Sequence, residues 1–317
     1  MTPYDTHILL ATYNGAKHLP VLLQSLDEQY DQHWKLVVRD DGSQDDTVKI
    51  LKKWGEAHPD RFEFLDDEKT NLGAMGNFSA LLGHCDADYF LLCDQDDFWL
   101  PEKVGVLKLA IKQQEEALGA DTPIIVHTDL IVVDEALKKT SDSYFDYQGL
   151  KQIPENDPWK LLALQNVVTG CAMIGNQALL RKAIPISAHA MMHDWWLALV
   201  CGLKGKIHFL SEPSILYRQH GSNTLGARKW SFLQASIQIA AFPFNRKLAG
   251  RLFAKNRKQA NALLEHFGDE LTHEQAQFFS DFARLNELSI LEKNRFFSRN
   301  KMKLRGVVRN VGLRFLR

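Results

Sequence analysis

The chain has 317 residues, enough for about two domains, and its 45% of hydrophobic residues can build a large core, which excludes a disordered chain. A formal net charge of -1 leaves no overall basic field and argues against general binding to nucleic acid. The four cysteines form no CxxC pair, so they indicate neither a zinc site nor a disulfide framework, and a reducing cytosol fits best.

The first 126 residues alternate short β-type runs with helical patterns, which is typical of a parallel sheet covered by helices. Strands are predicted over 8–11, 36–38, 62–65, 89–93 and 124–126, with helices over 19–26, 48–54, 78–82 and 101–118. Ser43 is the expected cap of the second helix, and Pro101 suits the first turn of the fourth. The pattern predicts an α/β fold with a mostly parallel sheet and flanking helices.

Residues 129–159 are polar and irregular. Beyond them, an apolar run over 167–174, a helix near 193–203 and a strand near 207–217 are expected to complete the same sheet. From about residue 227 the chain changes to long helical patterns rich in Arg, Lys and Phe. We therefore predict an α/β domain over residues 1–225 and a helical, basic region over residues 226–317.

Polar residues follow the first two predicted strands at the points where they end. Thr12, Tyr13 and Asn14 follow the first strand, and Asp40 and Asp41 follow the second. Ligands of open α/β sheets bind beyond the carboxyl ends of the strands, so these side chains are candidates for one crevice. The two aspartates, with the glycine and serine after them, are equally well explained as a turn and a helix cap.

A more specific signal is the tetrad Asp94-Gln95-Asp96-Asp97, which follows the fourth strand. Its three carboxylates repel one another unless a cation offsets them. Oxygen ligands suit Mg²⁺ or Mn²⁺, and Mg²⁺ commonly combines one or two carboxylates with phosphate oxygens. The next residues, Phe98 and Trp99, should hold the turn against the core, which a solvated acidic loop would not need. The tetrad predicts a divalent-metal site beside a nucleotide diphosphate.

Three ordered motifs carry a resemblance to a known family. They are Ala-Thr-Tyr-Asn at 11–14, Arg-Asp-Asp-Gly-Ser at 39–43 and Cys-Asp-Gln-Asp-Asp-Phe-Trp-Leu-Pro-Glu-Lys at 93–103. They resemble family 2 glycosyltransferases of the GT-A fold, and among these the bacterial rhamnosyltransferase-like branch. The resemblance continues through Thr-Gly-Cys at 169–171, His-Asp-Trp-Trp at 193–196 and Tyr-Arg-Gln-His at 217–220, and covers about residues 6–225.

The resemblance implies that residues 1–225 are a GT-A catalytic domain that binds a nucleotide diphosphate sugar, such as a dTDP- or UDP-sugar. It places Tyr13 and Asp41 at the border of the donor base. Thr12 and Asn14 would shape the same pocket.

The resemblance also implies roles at the metal end of the donor. Asp96 would bind Mg²⁺ or Mn²⁺, and Asp94 would contact the donor ribose or a water on the metal. His220 would complete the metal shell, or would meet the diphosphate together with Arg218.

Asp194 falls where the family places its catalytic base, although many members have an acidic residue just before it and this chain has His193. An acceptor hydroxyl is a poor nucleophile near neutral pH, so a carboxylate must take its proton during attack. The metal stabilises the leaving diphosphate, and a single displacement inverts the anomeric centre. The alternative role for Asp194 is an N-terminal helix cap.

Residues 293–317 contain nine Lys or Arg and no Asp or Glu, interleaved with apolar residues that include Phe296 and Phe297. Anionic lipid headgroups attract such a segment, and its apolar positions can enter the membrane interface. Residues 228–258 are a candidate second helix of this kind, or pack on the catalytic domain. RNA binding is the rival explanation, but it would normally need a stacking surface or a wider basic face.

The start of the chain lacks a signal-peptide pattern, and no run approaches the 18 or so uncharged apolar residues of a spanning helix. We therefore expect a cytoplasmic protein that is peripheral at the inner face of the cytoplasmic membrane and binds no nucleic acid.

The expected function is inverting, metal-dependent transfer of a sugar, with rhamnose suggested by the resemblance, to a glycan or polyprenyl-linked saccharide. Two other classes stay open. A sugar-1-phosphate nucleotidyltransferase would show a glycine-rich, basic loop after its first strand, where residues 12–18 offer one glycine and one lysine. A non-catalytic nucleotide- or metal-binding module would have no need of Asp194 beside the donor.

Overall fold

The computed structural model describes residues 4–221 and 242–302, and within these the chain forms two compact units. The first unit comprises residues 4–144, 168–185 and 204–221, and the second comprises residues 145–167, 186–203 and 242–302. The predicted boundary between residues 225 and 226 lies outside the described residues. However, residues 145–167 and 186–203, which precede this boundary, belong to the second unit.

The strands follow the predicted order through the first half of the chain. They are β1 (Thr6–Thr12), β2 (Lys35–Asp40), β3 (Phe62–Phe64), β4 (Tyr89–Asp94), β5 (Phe98–Trp99), β6 (Ile124–Thr128), β7 (Ile131–Val133), β8 (Lys139–Ser141), β9 (Met173–Asn176), β10 (Lys206–Leu210) and β11 (Ile215–Arg218).

Seven strands form the main sheet, in the order β10-β6-β9-β4-β1-β2-β3. Strand β9 is antiparallel to both of its neighbours, and the other pairs are parallel. Ile8, Leu9 and Leu10 of β1 are all fully buried, because both faces of a parallel sheet are covered. The predicted α/β class with a mostly parallel sheet is confirmed.

The helices are α1 (Leu19–Asp27), α2 (Thr47–Ala57), α3 (Gly73–His84), α4 (Lys103–Leu118), α5 (Tyr144–Gln148), α6 (Pro158–Leu162), α7 (Gln177–Ala183), α8 (His193–Lys204), α9 (Phe242–Phe267), α10 (His273–Ala283) and α11 (Ile290–Arg299). The predicted cap at Ser43 is wrong, because α2 begins at Thr47 after Asp46. The Ser43 hydroxyl instead donates to Asp40. Helix α4 likewise begins two residues after Pro101.

A second sheet of four strands, in the order β5-β11-β7-β8, was not predicted. The single strand expected near 207–217 is two strands in different sheets, β10 and β11. Pro213 lies between them and has no N–H to continue a ladder. The polar region 129–159 contributes β7 and β8 to this sheet. In the same sheet β11 pairs with β5, the strand that directly follows the acidic tetrad, and this pairing brings the end of β11 to the tetrad.

The second unit contains the C-terminal helices, packed around aromatic side chains. Phe278, Phe282 and Phe296 contact one another, with ring centroids 5.3–6.3 Å apart. Phe296 and Phe297 are each only 5% exposed, so these two rings are core residues and cannot insert into lipid as expected.

The rest of the predicted membrane segment, residues 303–317, lies outside the described residues, as does 228–241 of the second candidate helix. Among the helices that the structure describes, none combines the length and hydropathy needed to cross a bilayer.

Candidate active site

The loop after β1 is held by its own backbone N–H groups. Four consecutive residues, 13–16, each donate an N–H to a side-chain oxygen. The acceptors in order are Gln95 Oε1 at 2.9 Å, Ser43 Oγ at 2.7 Å, Thr47 Oγ1 at 2.8 Å and Asp45 Oδ2 at 3.1 Å. A phosphate-binding loop uses such N–H groups for its ligand, and here they are already engaged. This arrangement argues against the nucleotidyltransferase alternative.

The side chains of Thr12, Tyr13 and Asn14 differ from one another in exposure and in hydrogen bonding. Tyr13 is 50% exposed, so its ring can receive a ligand. Asn14 adopts a φ of 49°, and its Oδ1 accepts the Gln44 N–H at 2.8 Å. Thr12 is buried, and its hydroxyl donates to Asp40 at 2.7 Å. Of the three residues, Tyr13 offers the largest surface to a donor.

Asp40 closes the turn after β2. One carboxylate oxygen accepts the N–H groups of Gly42 at 3.0 Å and Ser43 at 2.7 Å, and the other accepts the hydroxyls of Ser43 at 2.6 Å and Thr12. Four hydrogen bonds satisfy the carboxylate, which therefore stabilises the loop.

Asp41 is 4% exposed and holds the start of α3. Its Oδ1 accepts the Leu72 N–H and its Oδ2 the Gly73 N–H, both at 2.8 Å. Arg39, also buried, donates to Oδ1 at 3.3 Å. A carboxylate at a helix N-terminus is favoured by the N–H groups that have no partner within the helix. The contact of Asp41 with the donor base stays a prediction.

The acidic turn after β4 is crowded. Ligand atoms of Asp94, Asp97 and Cys171 lie within 4.8 Å of one another. Asp97 is fully buried, and its Oδ1 accepts the Arg218 N–H at 3.1 Å, while its Oδ2 has no hydrogen-bond partner among the described residues. Burial, together with the Asp96 and Asp94 carboxylates, raises the pKa of Asp97 well above its usual range.

Strand β11 brings His220 to this turn. Because Leu216 pairs with Phe98, the chain after β11 passes the tetrad, and His220 Nε2 lies 2.7 Å from Asp96 Oδ2. The His220 ring also stacks on His18, with centroids 4.9 Å apart. The structure therefore brings together two of the three predicted metal ligands, Asp96 and His220, which the resemblance assigns to one metal shell.

Arg218 is 4% exposed and braces the same turn. Its Nε donates to the Asp96 carbonyl and its Nη1 to the Glu135 carbonyl, both at 2.7 Å. These bonds fix the backbone on which the Asp96 carboxylate is carried. The predicted contact of Arg218 with the diphosphate stays a prediction.

Lys103 is a buried residue whose part in the site was not predicted. Its ammonium donates to the Cys171 carbonyl and lies 3.4 Å from the centroid of the Trp99 ring. Burial lowers the pKa of Lys103 to about 8, although nearby acidic groups, including Asp97, favour the charged form. The signal was present in the sequence, as a lysine six residues beyond three aspartates, but only the fold shows that it is buried.

The residues at the turn offer ligands suited to a divalent cation in two places: Asp94 and Asp97 lie close together beside Cys171, and Asp96 lies against His220. Carboxylate oxygens of Asp94, Asp96 and Asp97 are hard ligands suited to Mg²⁺ or Mn²⁺, and the His220 imidazole is acceptable to Mn²⁺. The buried Asp97 oxygen has no hydrogen-bond partner among the described residues, and a bound cation would favour the ionised form that burial disfavours. The Cys171 thiol is a poor candidate ligand, because burial raises its pKa well above the usual value.

Asp194 belongs to the second unit, in the first turn of α8, and is partly buried. Its Oδ1 accepts the N–H of the next residue, Trp195, at 2.6 Å, and a carboxylate in the first turn of a helix is favoured by the helix dipole. Burial lowers the pKa of the preceding His193 to about 3, so that imidazole is neutral near pH 7. The role of Asp194 as the catalytic base stays a prediction.

Known proteins resemble this chain in sequence and in fold. The dTDP-rhamnosyl transferase RfbG of Shigella flexneri is 26% identical over 238 residues, which are 69% of this chain and 74% of that protein. Residues 1–349 of TarS from S. aureus, solved with UDP-GlcNAc, superpose with a TM-score of 0.55 at 17% identity, over 94% of this chain and 88% of that chain.

The mannosyltransferase PcManGT from Pyrobaculum calidifontis, solved with GDP-Man and Mn²⁺, gives a TM-score of 0.50 at 15% identity, over 94% and 83% of the two chains. At such low identity these two structures speak for the fold alone, and they confirm the predicted GT-A fold. The profile of Glycosyl transferase family 2 matches residues 7–179, more than half of the 317 residues, and includes both the Tyr13 loop and the acidic turn. The chain belongs to glycosyl transferase family 2.

Proposed function

We propose that this glycosyltransferase is an inverting, divalent-metal-dependent enzyme that transfers rhamnose, or another hexose, from a dTDP- or UDP-linked donor. The acceptor is a hydroxyl of a lipid-linked or cell-surface glycan. The observation that carries the proposal is the acidic turn, where Asp96 contacts His220 and a buried oxygen of Asp97 has no hydrogen-bond partner among the described residues.

The donor base is assigned to the Tyr13 loop. Its backbone N–H groups are engaged, so its side chains are what remain for recognition. An exposed tyrosine ring suits stacking on a nucleobase. Two of the similar proteins are named or solved with pyrimidine nucleotides, dTDP for RfbG and UDP for TarS, which supports a pyrimidine donor.

The diphosphate is assigned to the acidic turn. Asp94, Asp96 and His220 would hold Mg²⁺ or Mn²⁺, with Asp97 as a further oxygen ligand. The ion, when bound, offsets the negative charge that develops on the leaving nucleoside diphosphate. Arg218 keeps the turn in place through the Asp96 carbonyl.

The chemistry assigned to Asp194 is removal of a proton. The acceptor oxygen forms a bond to the anomeric carbon while the bond from that carbon to the diphosphate oxygen breaks. The hydroxyl proton passes to the Asp194 carboxylate, and the nucleoside diphosphate leaves with the electron pair. Attack from the face opposite the leaving group inverts the anomeric centre.

The location of the acceptor follows from the basic C-terminal sequence. Of the nine Lys or Arg within residues 293–317, Lys293 is buried and Arg299 pairs with Asp281, and the remaining seven would attract an anionic membrane surface, where polyprenyl-linked saccharides are found. We therefore place the enzyme in the cytoplasm, peripheral at the inner face of the cytoplasmic membrane.

The test is a panel of nucleotide sugars incubated with purified protein, Mn²⁺ or Mg²⁺, and bacterial lipid extract, with release of nucleoside diphosphate as the readout. Chelation by EDTA should stop release, and added Mn²⁺ should restore it. Asp194→Asn should lower turnover by about 10²–10⁴-fold, the usual contribution of a general base. Asp121→Asn is the control, since its fully exposed carboxylate pairs only with Arg181 among the described contacts.

Release with one donor that depends on metal and on Asp194 would support the proposal and identify the sugar. Metal-dependent nucleotide binding without turnover of any donor would favour the binding module. Full turnover by Asp194→Asn would refute the assignment of the base.

A further inference from the structure

Gln95, between two predicted metal-site aspartates, faces the donor loop. Its Oε1 accepts the Tyr13 N–H and its Nε2 donates to the Tyr13 carbonyl, each at 2.9 Å. A neighbouring strand would offer the same residue a donor and an acceptor of this kind. The backbone pairing of β1 with β4 ends at Ala11 and Asp94, so the Gln95 side chain carries the connection beyond the end of the ladder.

The loop is shaped to admit this side chain. A Cβ atom at Gly15 would lie 2.2 Å from Gln95 Oε1, so a larger residue there would displace the amide. Gln95 is only partly buried and is not part of the hydrophobic core. Its contribution is therefore the pair of hydrogen bonds to the backbone N–H and carbonyl of one residue, Tyr13, rather than packing.

The other N–H groups of the loop are bound from a different direction. Asn14 donates to Ser43, which lies between β2 and α2, and Gly15 donates to Thr47, the first residue of α2. Those contacts hold the loop against β2, whereas Gln95 holds it against the acidic turn. A shift of one region relative to the other must strain or break the Gln95 bonds.

We propose that Gln95 is a positioning residue that sets the distance between the base-binding Tyr13 and the diphosphate-binding turn, so that one nucleotide can reach both. The inference rests on the proposed function, because it assumes that the base lies on Tyr13 and the diphosphate at the turn. Gln95 contacts neither the reacting atoms nor the metal, and acts through the Tyr13 peptide.

The test uses Gln95→Met, which keeps the length of the side chain and removes both hydrogen bonds. Calorimetry with the full chain and Mn²⁺ would measure Kd for UDP, for dTDP and for inorganic pyrophosphate, which lacks a base. Gln44→Met is the matched control, because Gln44 is exposed and its side chain bonds to Gly42 rather than to Tyr13. Thermal unfolding checks that each variant is folded.

We expect Gln95→Met to weaken nucleotide binding about tenfold, in line with two lost hydrogen bonds, and to leave pyrophosphate binding unchanged. Gln44→Met should change neither. Gln95→Glu, which can accept the Tyr13 N–H but cannot donate to its carbonyl, should weaken nucleotide binding at least as much as Gln95→Met. With donor sugar, the loss should appear as a raised KM with little change in kcat.

Equal weakening of nucleotide and pyrophosphate by Gln95→Met would overturn the inference, since it would show that Gln95 supports the metal site itself. Unchanged nucleotide binding in a folded Gln95→Met would also overturn it while leaving the proposed function intact. Failure of the unaltered protein to bind any nucleotide would instead overturn the proposed function, and this inference with it.

Discussion

Two groups of aspartates lie at the ends of β2 and β4, the strands on either side of β1 in the main sheet, and differ in what surrounds them. Asp40 and Asp41, after β2, accept hydrogen bonds on every carboxylate oxygen. The aspartates after β4 are crowded together, and a buried oxygen of Asp97 has no hydrogen-bond partner among the described residues. The first group is satisfied by the protein, whereas the cation proposed for the second group would supply the partner that the buried Asp97 oxygen lacks among the described residues. Position at a strand end therefore does not by itself identify a ligand.

The largest expected effect concerns Asp96 in the second group. Asp96→Asn should lower sugar transfer by about 10²–10³-fold, because it removes negative charge from the predicted cation site. The midpoint of thermal unfolding should stay near that of the unaltered protein. Steady-state release of nucleoside diphosphate, with calorimetry in parallel, measures both, and a variant with full activity would place the metal elsewhere.

Asp41 should behave in the opposite way, with its main effect on stability. Asp41→Ala leaves the Leu72 and Gly73 N–H groups and the buried Arg39 without this acceptor, so the free energy of unfolding should fall by about 3 kcal/mol. Urea unfolding measures the loss. Asp46→Ala is the control, because its exposed carboxylate caps no N–H of α2 and should cost less than about 0.5 kcal/mol. Equal losses of unfolding free energy in the two variants would show that the buried Asp41 contributes no more to stability than the exposed Asp46.

Asp97 is the most direct test of the difference between the two groups, because it is as buried as Asp41 but belongs to the acidic turn. Asp97→Asn keeps an acceptor for the Arg218 N–H and removes a charge from a crowded site. Unfolding in urea with EDTA present should show unchanged stability or a gain of about 1 kcal/mol. A loss as large as that of Asp41→Ala would mean that Asp97 is a paired structural carboxylate, with the buried Lys103 as the natural partner.

Asp5, just before β1, gives the smallest expected effect. Burial alone would raise its pKa, but hydrogen bonds from Lys108 and Lys112 outweigh burial and hold the pKa well below its usual range. A lowered pKa in the folded state means that the ion pair stabilises the fold above about pH 4 and that this contribution is lost as the pH falls further. Asp5→Asn should cost about 0.5 kcal/mol near pH 7, because the site is partly exposed, and progressively less in acid.

Urea unfolding of Asp5→Asn and the unaltered protein between pH 7 and pH 2 would follow this effect. A difference that stays constant over the whole range would show that the Asp5 charge contributes nothing.

The parts of this molecule that could be predicted are those specified by neighbouring residues. The apolar run before Thr12 predicts a strand by its composition. The tetrad from Asp94 to Asp97 predicts a cation site by its local charge. The same reasoning failed for residues 129–159, because β7 and β8 have only three residues each, too few to show a period, and β7 pairs with β11, which lies far along the chain. It also failed for Phe296 and Phe297, which are buried, because Phe296 packs against Phe278 of α10, a residue outside the basic segment.

The sequence by itself determined the α/β class, the family resemblance and the presence of an acidic turn after β4, because these depend on residues close together in the chain. Only the tertiary structure decided that Asp41 holds α3, that Gln95 holds Tyr13 and that His220, 124 residues away, contacts Asp96. The physical reason is that a carboxylate is characterised by its hydrogen-bond partners and its burial, and both are supplied by distant segments that meet only when the sheets form.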